Sequence, residues 1–93
     1  MSLTSAQSRA ARGLLDWSQT ELGGRSNLSE STIRDFEKGR RLPSPNNLAA
    51  VRAALEAAGV IFVEENGEGP GVRLRKAAPA AIPADKLNAS NDE

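Results

Sequence analysis

Apolar positions recur at helical spacing in four short segments over the first 59 residues of the chain. Each segment follows a serine or threonine whose hydroxyl can accept a hydrogen bond from a free main-chain N–H of the first helical turn. The four predicted caps are Thr4, Ser18, Ser29 and Ser44. The pattern therefore predicts a mainly helical domain over residues 1–59.

The predicted second helix is short. Ser18 and Glu21 have the spacing of a capping box, in which each side chain accepts a hydrogen bond from the main-chain N–H of the other residue. Gly23 and Gly24 weaken the end of this helix, and Asn27 tolerates the left-handed conformation that ends helices. We expect Gly23 to cost about 1 kcal/mol of helix propensity relative to alanine.

The predicted third helix has a very narrow apolar side, formed by Ile33 and Phe36. Because such a helix gains little from packing alone, its polar side must face solvent or a partner. Gly39 is expected to end the helix. A basic segment that contains Arg40 and Arg41 follows directly.

The pattern changes after residue 59. Residues 60–63 are β-branched or aromatic, 66–71 are rich in glycine, and 72–75 alternate apolar and basic, so we predict a β-hairpin over 60–76. Residues 77–93 have no periodic apolar face and are expected to be disordered. Because a lone hairpin with an apolar edge is marginally stable, we expect 60–76 and part of the fourth helix to join two subunits in a symmetric homodimer. Packing against helices one and four of the same chain is the alternative.

Composition excludes several classes of protein. The chain has no cysteine and no histidine, which removes the common zinc ligands and the usual catalytic base and nucleophile. We therefore predict no metal, no cofactor and no enzymatic activity. No apolar run of about 18 residues is present to span a membrane, and no leader pattern opens the chain, so we expect a cytoplasmic protein. Lys+Arg and Asp+Glu are equal at 12 each, and the local clustering of cations matters more than the net charge.

The segment from Ser18 to Pro43 resembles the helix-turn-helix of Xre/Cro-type phage repressors and their bacterial relatives. The matching residues, at the spacings of that family, are Ser18, Gln19, Leu22, Ser29, Ile33, Phe36, Glu37, Gly39 and Pro43. The resemblance implies a lambda-repressor-like domain of four to five helices, with the motif over residues 18–38. The chain departs from the family at Gly23, where alanine is frequent, and at Asn27, where glycine is frequent.

The resemblance also implies which residues contact DNA. Glu30, Ser31 and Asp35 take the base-reading positions, while Gln19 contacts a phosphate or braces the reading helix. The residues expected to begin the reading helix, to border the groove or to hold phosphates are Ser29, Thr32, Arg34, Lys38, Arg40 and Arg41. The family further implies an ion pair between Arg12 and Glu37 that joins the first helix to the third; the alternative is two solvated charges.

These features predict a sequence-specific regulator of transcription, a repressor that binds a pseudo-palindromic operator in double-stranded DNA as a dimer. The alternative is a protein-interaction module, such as an antitoxin or anti-activator, that uses the same fold to bind a regulatory protein partner. The exposed hairpin and the acidic positions of the third helix favour that alternative. A small enzyme based on carboxylates is the third class that the residues allow.

Overall fold

The computed structural model describes residues 3–75, so the predicted tail over 77–93 lies outside the described residues. Within this range, four helices precede a two-stranded antiparallel sheet, as predicted. The elements are α1 (Ser5–Leu15), α2 (Gln19–Ser26), α3 (Glu30–Glu37), α4 (Pro45–Ala57), β1 (Val60–Val63) and β2 (Gly71–Leu74). No helix in residues 3–75 is long and apolar enough to cross a membrane.

All four helices begin at the predicted hydroxyl caps. The box at α1 is complete, because Thr4 and Gln7 each accept a hydrogen bond from the main chain of the other at 3.0 Å. The box predicted at α2 is only half formed. Ser18 accepts from the Glu21 N–H at 3.0 Å, but the Glu21 carboxylate lies 2.6 Å from Arg25. The cation one helical turn away takes the carboxylate that was expected to return the bond.

The turn between α2 and α3 is tight. Asn27 ends α2 in the left-handed conformation, with φ of 63°, as predicted. The Leu28 N–H donates to the Gly23 carbonyl at 2.8 Å. A Cβ added at Gly23 would lie 2.8 Å from the Leu28 carbonyl oxygen, which is far inside van der Waals contact. Glycine is therefore required here by the close approach of the turn, a tertiary reason that helix propensity does not reveal.

The core lies between the four helices and the inner face of the hairpin. Its buried apolar residues are Leu3, Ala11, Leu22, Ile33, Phe36, Val51, Leu55, Val60 and Phe62. Trp17 and Leu48 are partly buried against this cluster. Each of the large apolar side chains contributes about 1.5–3 kcal/mol when fully buried, which is how a domain without disulfides stays folded.

The hairpin packs against helices of its own chain. Val60 and Phe62 point inward from β1 and are buried where the hairpin contacts α1 and α4. The Gln7 side chain of α1 also donates to the Gly71 carbonyl at 3.0 Å, which ties β2 to the helix. The expectation that β1 leaves an apolar edge exposed is therefore wrong, because the intramolecular packing weighed as the alternative covers this face. β2 also begins one residue earlier than predicted, at Gly71.

Candidate nucleic-acid interface

The third helix has two sides of opposite character. Its inward side carries the buried residues Ile33, Phe36 and Glu37. Its outward side, roughly opposite at 100° per residue, carries four of the predicted site residues. These are Ser31, Arg34, Asp35 and Lys38. Ser31 and Lys38 are exposed, while Arg34 and Asp35 are partly buried, so the outward side is polar along its whole length.

The N-terminal end of α3 is organised around the Ser29 hydroxyl. This hydroxyl accepts a hydrogen bond from the Thr32 N–H at 3.1 Å, and the hydroxyls of Ser31 and Thr32 lie 3.1 and 2.8 Å from it. Glu30 is exposed beside this cluster, where the positive end of the helix dipole favours a carboxylate. The structure thus brings four predicted residues together at one end of the helix, with Ser29 as the cap.

The basic segment after α3 is held against the helix by its main chain. The N–H groups of Arg40 and Arg41 both donate to the Asp35 carbonyl, at 2.9 and 3.3 Å. Both arginine side chains are exposed and follow directly on Arg34 and Lys38. Four cations therefore outnumber the two carboxylates of this surface, although the net charge of the chain is zero. Such a local field favours a polyanionic ligand.

Glu37 is a carboxylate inside the protein, only 2% exposed. Arg12 lies against it, with its Nη2 atom 2.6 Å from Glu37 Oε1 and its Nε atom 2.9 Å from Oε2, so the predicted ion pair is confirmed. Burial alone raises the pKa of Glu37. Hydrogen bonds from Arg12, Ser8 and Gln19 outweigh burial and hold that pKa below its usual value. We call these four residues the Glu37 anchor.

Gln19 is the predicted site residue that turns toward the inward side of α3. Its Nε2 donates to Glu37 Oε1 at 3.1 Å, which makes it part of the Glu37 anchor. The resemblance implied either a phosphate contact or a brace for the reading helix. In the structure, this side chain braces α3.

Sequence reasoning missed three polar residues of α1 that hold α3. The Ser8 hydroxyl, which is fully buried, donates to Glu37 Oε2 at 2.6 Å. Ser5 and Arg9 donate to main-chain carbonyls at the C-terminal end of α3. Together with Arg12, these residues form a polar stripe at helical spacing, and that periodicity was the signal available in the sequence.

The outward side of α3 remains open in the described part of the chain. Gln7 of α1 contacts the hairpin, whereas Ser8 and Arg12 contact α3. Ser31 and Lys38 are exposed, so the hairpin does not cover them. Within residues 3–75, no group of three or more histidine, cysteine, aspartate or glutamate side chains is placed to hold a metal ion.

Comparison with known proteins agrees with this geometry. The model of the helix-turn-helix family matches residues 9–57, more than half of the chain, so the chain belongs to this family of Xre and lambda-repressor-like proteins. Among solved structures, the chain is similar to the DNA-binding domain of the P22 C2 repressor, residues 1–76, determined in solution by NMR. The two share 28% sequence identity with a TM-score of 0.54, over 60% of this chain and 75% of that one. A search of curated proteins gave no match.

Family and fold together define the class: the protein is a DNA-binding regulator of transcription and not an enzyme. The family match runs from Arg9, within α1, to the end of α4. The hairpin that begins at Val60 lies outside it and is a feature of this chain beyond the shared motif.

Proposed function

We propose that the protein binds a pseudo-palindromic operator as a homodimer and represses transcription by blocking access to that DNA. The observation that carries the proposal is the exposed polar side of α3, which the Glu37 anchor fixes from beneath. The similarity to a domain described as the DNA-binding domain of a repressor supports it. Such a protein acts where the chromosome is accessible, which for this family means the cytoplasm.

In this proposal α3 enters the major groove, which is about 12 Å wide and accepts one helix. Its N-terminal residues then lie nearest the base edges. Ser31 offers a hydroxyl that donates to or accepts from either kind of base pair, and Glu30 offers an acceptor suited to the cytosine amino group. Asp35 reads the groove one turn further along the helix. In this proposal Ser31, Glu30 and Asp35 thus supply the base contacts.

The cations around α3, together with the Thr32 hydroxyl, supply the phosphate contacts. The residues assigned to this role are Thr32, Arg34, Lys38, Arg40 and Arg41. Arg40 and Arg41 are the strongest candidates, because their main chain is fixed to the Asp35 carbonyl while their side chains are exposed. Glu30 and Asp35 repel the polyanion, so we expect modest affinity and strong rejection of sequences that offer those carboxylates no donor.

A salt series on DNA binding tests these assignments. We expect the affinity of the wild type for operator DNA to fall steeply with salt, since each neutralised phosphate releases counterions. Arg40→Ala and Arg41→Ala should each lower the logarithmic salt slope by about 1 and weaken all sequences alike. Ser31→Ala is the matched control, because it should preserve the slope and change the preferred base. An affinity that is independent of salt would contradict the proposal.

The homodimer of this proposal forms through residues 60–76. Two-fold symmetry then requires two half-sites one helical turn apart, about 34 Å between centres. Repression by occupancy requires that the operator overlap a promoter. Footprinting on a regulated promoter checks this directly, with protection expected on one face of the DNA over two adjacent turns.

One observation favours a protein partner as a second role. Leu42, in the loop after α3, is 75% exposed and borders a shallow apolar groove of about 320 Å³. The groove is lined by Leu3, Leu42, Pro43, Pro45, Leu48, Ala49 and Arg52. Leu42→Ser should leave DNA affinity unchanged, because this side chain supplies no charge. Loss of regulation in cells with DNA binding intact would assign the groove to a regulatory protein.

A further inference from the structure

We infer that two copies of the chain join through the outer edge of β2, paired antiparallel to each other in a register centred on Val72. This inference rests on the homodimer proposed above and names the surface that forms it. It departs from the sequence-based picture, in which the apolar β1 strand needed cover. The structure shows that β1 is already covered from within, so the surface that remains for a partner is a different one.

The two strands differ in burial. Residues of β1 alternate between buried and half-buried, whereas β2 runs from half-buried at Gly71 to exposed at its end. Leu74 is 47% exposed and is one of three large apolar residues that are exposed within residues 3–75. β2 is therefore the more exposed of the two strands.

Hydrogen-bonded and non-hydrogen-bonded residue pairs alternate between β1 and β2, and this alternation shows which main-chain groups of β2 point away from β1. The Arg75 N–H donates to the Gly59 carbonyl at 2.6 Å, so residues 59 and 75 form a hydrogen-bonded pair. Because such pairs alternate along an antiparallel ladder, the N–H and C=O groups of Val72 and Leu74 point away from β1. None of the hydrogen bonds of residues 3–75 outside the ladder reaches these groups. A row of unpaired groups on an edge is a template for another strand.

Charge selects among the symmetric registers that these groups allow. A two-fold centred on Arg73 would place the two copies of this arginine directly opposite each other. A two-fold centred on Leu74 would place Arg73 opposite Arg75 of the second copy. Like charges directly opposite on a ladder are destabilising. The register centred on Val72 avoids both clashes.

In the register centred on Val72, the exposed side chains meet suitable partners. Leu74 lies opposite Pro70 of the second copy, whose ring covers its apolar side chain and whose carbonyl can accept from the Leu74 N–H. Arg75 lies opposite Gly69 of the second copy. Glu65 sits there already: its Oε2 accepts from the Gly69 N–H at 3.0 Å. The basic end of one hairpin thus meets the acidic tip of the other, at both ends of the interface.

The same pairing gives both copies one orientation relative to the sheet. When like strands pair antiparallel in a continuous sheet, the two-fold axis is perpendicular to the sheet, so both inner faces point the same way. In each copy α1 contacts the hairpin through Gln7 and holds α3 through Ser8 and Arg12. The two α3 helices are therefore related by this two-fold axis, as the two half-sites of an operator are.

Sedimentation of the full chain without DNA tests the inference. Arg75→Glu and Glu65→Arg should each raise the dimer dissociation constant by about tenfold or more, since two symmetric attractions become repulsions. The double swap should restore the wild-type constant, which a loop merely damaged at Glu65 would not do. Arg25→Glu, at an exposed arginine of α2, is the control and should leave the dimer unchanged.

An unchanged constant in Arg75→Glu, or no restoration in the double swap, overturns this interface. DNA affinity measured on the same preparations separates this result from the proposed function. A dimer that responds to the swaps but binds no DNA overturns the proposed function and leaves the interface standing. A chain that is monomeric at every concentration overturns the interface and the homodimer together.

Discussion

Glu37 and Asp35 are both carboxylates of α3, two residues apart, and they lie on opposite sides of the helix. Glu37 is buried and accepts hydrogen bonds from Ser8, Arg12 and Gln19. Asp35 keeps its side chain on the outward side, while its main-chain carbonyl holds the following loop. The same chemical group therefore anchors the helix on one side and belongs to the polar outward side on the other. Position relative to the core, rather than residue type, decides the role.

The largest effect that sharpens this comparison is expected from Glu37→Ala. It leaves Arg12 and Ser8 without their partner in the interior, and we expect a loss of about 3 kcal/mol in the free energy of unfolding, because breaking a buried pair costs about 3–5 kcal/mol. Because Arg12 is 19% exposed, we expect the loss to lie at the lower end of this range. Urea denaturation measures it. Asp35→Ala is the matched control and should change stability by less than about 0.5 kcal/mol.

Gly23 and Gly24 of α2 differ in the same way as the two carboxylates: Gly23 is packed against the turn, and Gly24 faces open space. Gly23→Ala forces a Cβ to within 2.8 Å of the Leu28 carbonyl oxygen, and we expect a net loss of about 1–2 kcal/mol in unfolding free energy. Gly24 has nothing within 4 Å of the position of an added Cβ, so Gly24→Ala should stabilise the protein by about 0.5–1 kcal/mol. Thermal unfolding of both variants measures the two changes in stability. Equal shifts of the same sign would show that the turn relaxes freely.

The lowered pKa of Glu37 predicts a specific dependence of stability on pH. The carboxylate contributes fully above its unfolded pKa of about 4.3, and its contribution disappears as the pH falls through the lower pKa of the folded state. The difference in unfolding free energy between the wild type and Glu37→Gln should therefore shrink as the pH is lowered from 7 to 3. A difference that stays constant would mean that folding does not change the pKa of this carboxylate.

The smallest expected change in stability is that of Ser31→Ala. This hydroxyl is exposed on the outward side of α3, so unfolding in urea should be shifted by less than about 0.5 kcal/mol. The same variant should change which base pair is preferred at one operator position, because Ser31 contacts a base edge in the proposed complex. A large loss of stability would instead make Ser31 part of the helix cap.

Local signals in the sequence predicted the helices well. Hydroxyl caps at Thr4, Ser18 and Ser29 act on main-chain groups only three residues away, so a linear pattern contains them. The resemblance to a family supplied the long-range pair of Arg12 and Glu37. The site residues assigned from it stay predictions, because their contacts form only with DNA.

Contacts between segments that are distant in the chain could not be predicted from local sequence patterns. Ser8 reaches Glu37 across 29 positions, and Gln7 reaches Gly71 across 64, so no local pattern encodes either bond. For the same reason, the hairpin was expected to need a partner for β1, although α1 and α4 already cover its inner face. The clash that makes Gly23 necessary also depends on where the chain turns back, not on the helix that contains it.

The most direct test of the central claim is selection of bound fragments from a pool of random DNA at low salt. Wild-type protein should enrich a pseudo-palindrome whose half-sites are about 10 base pairs apart between centres, and Ser31→Ala should enrich a related but different half-site. If neither protein enriches any sequence, the outward side of α3 does not read DNA and the account given for this surface is wrong.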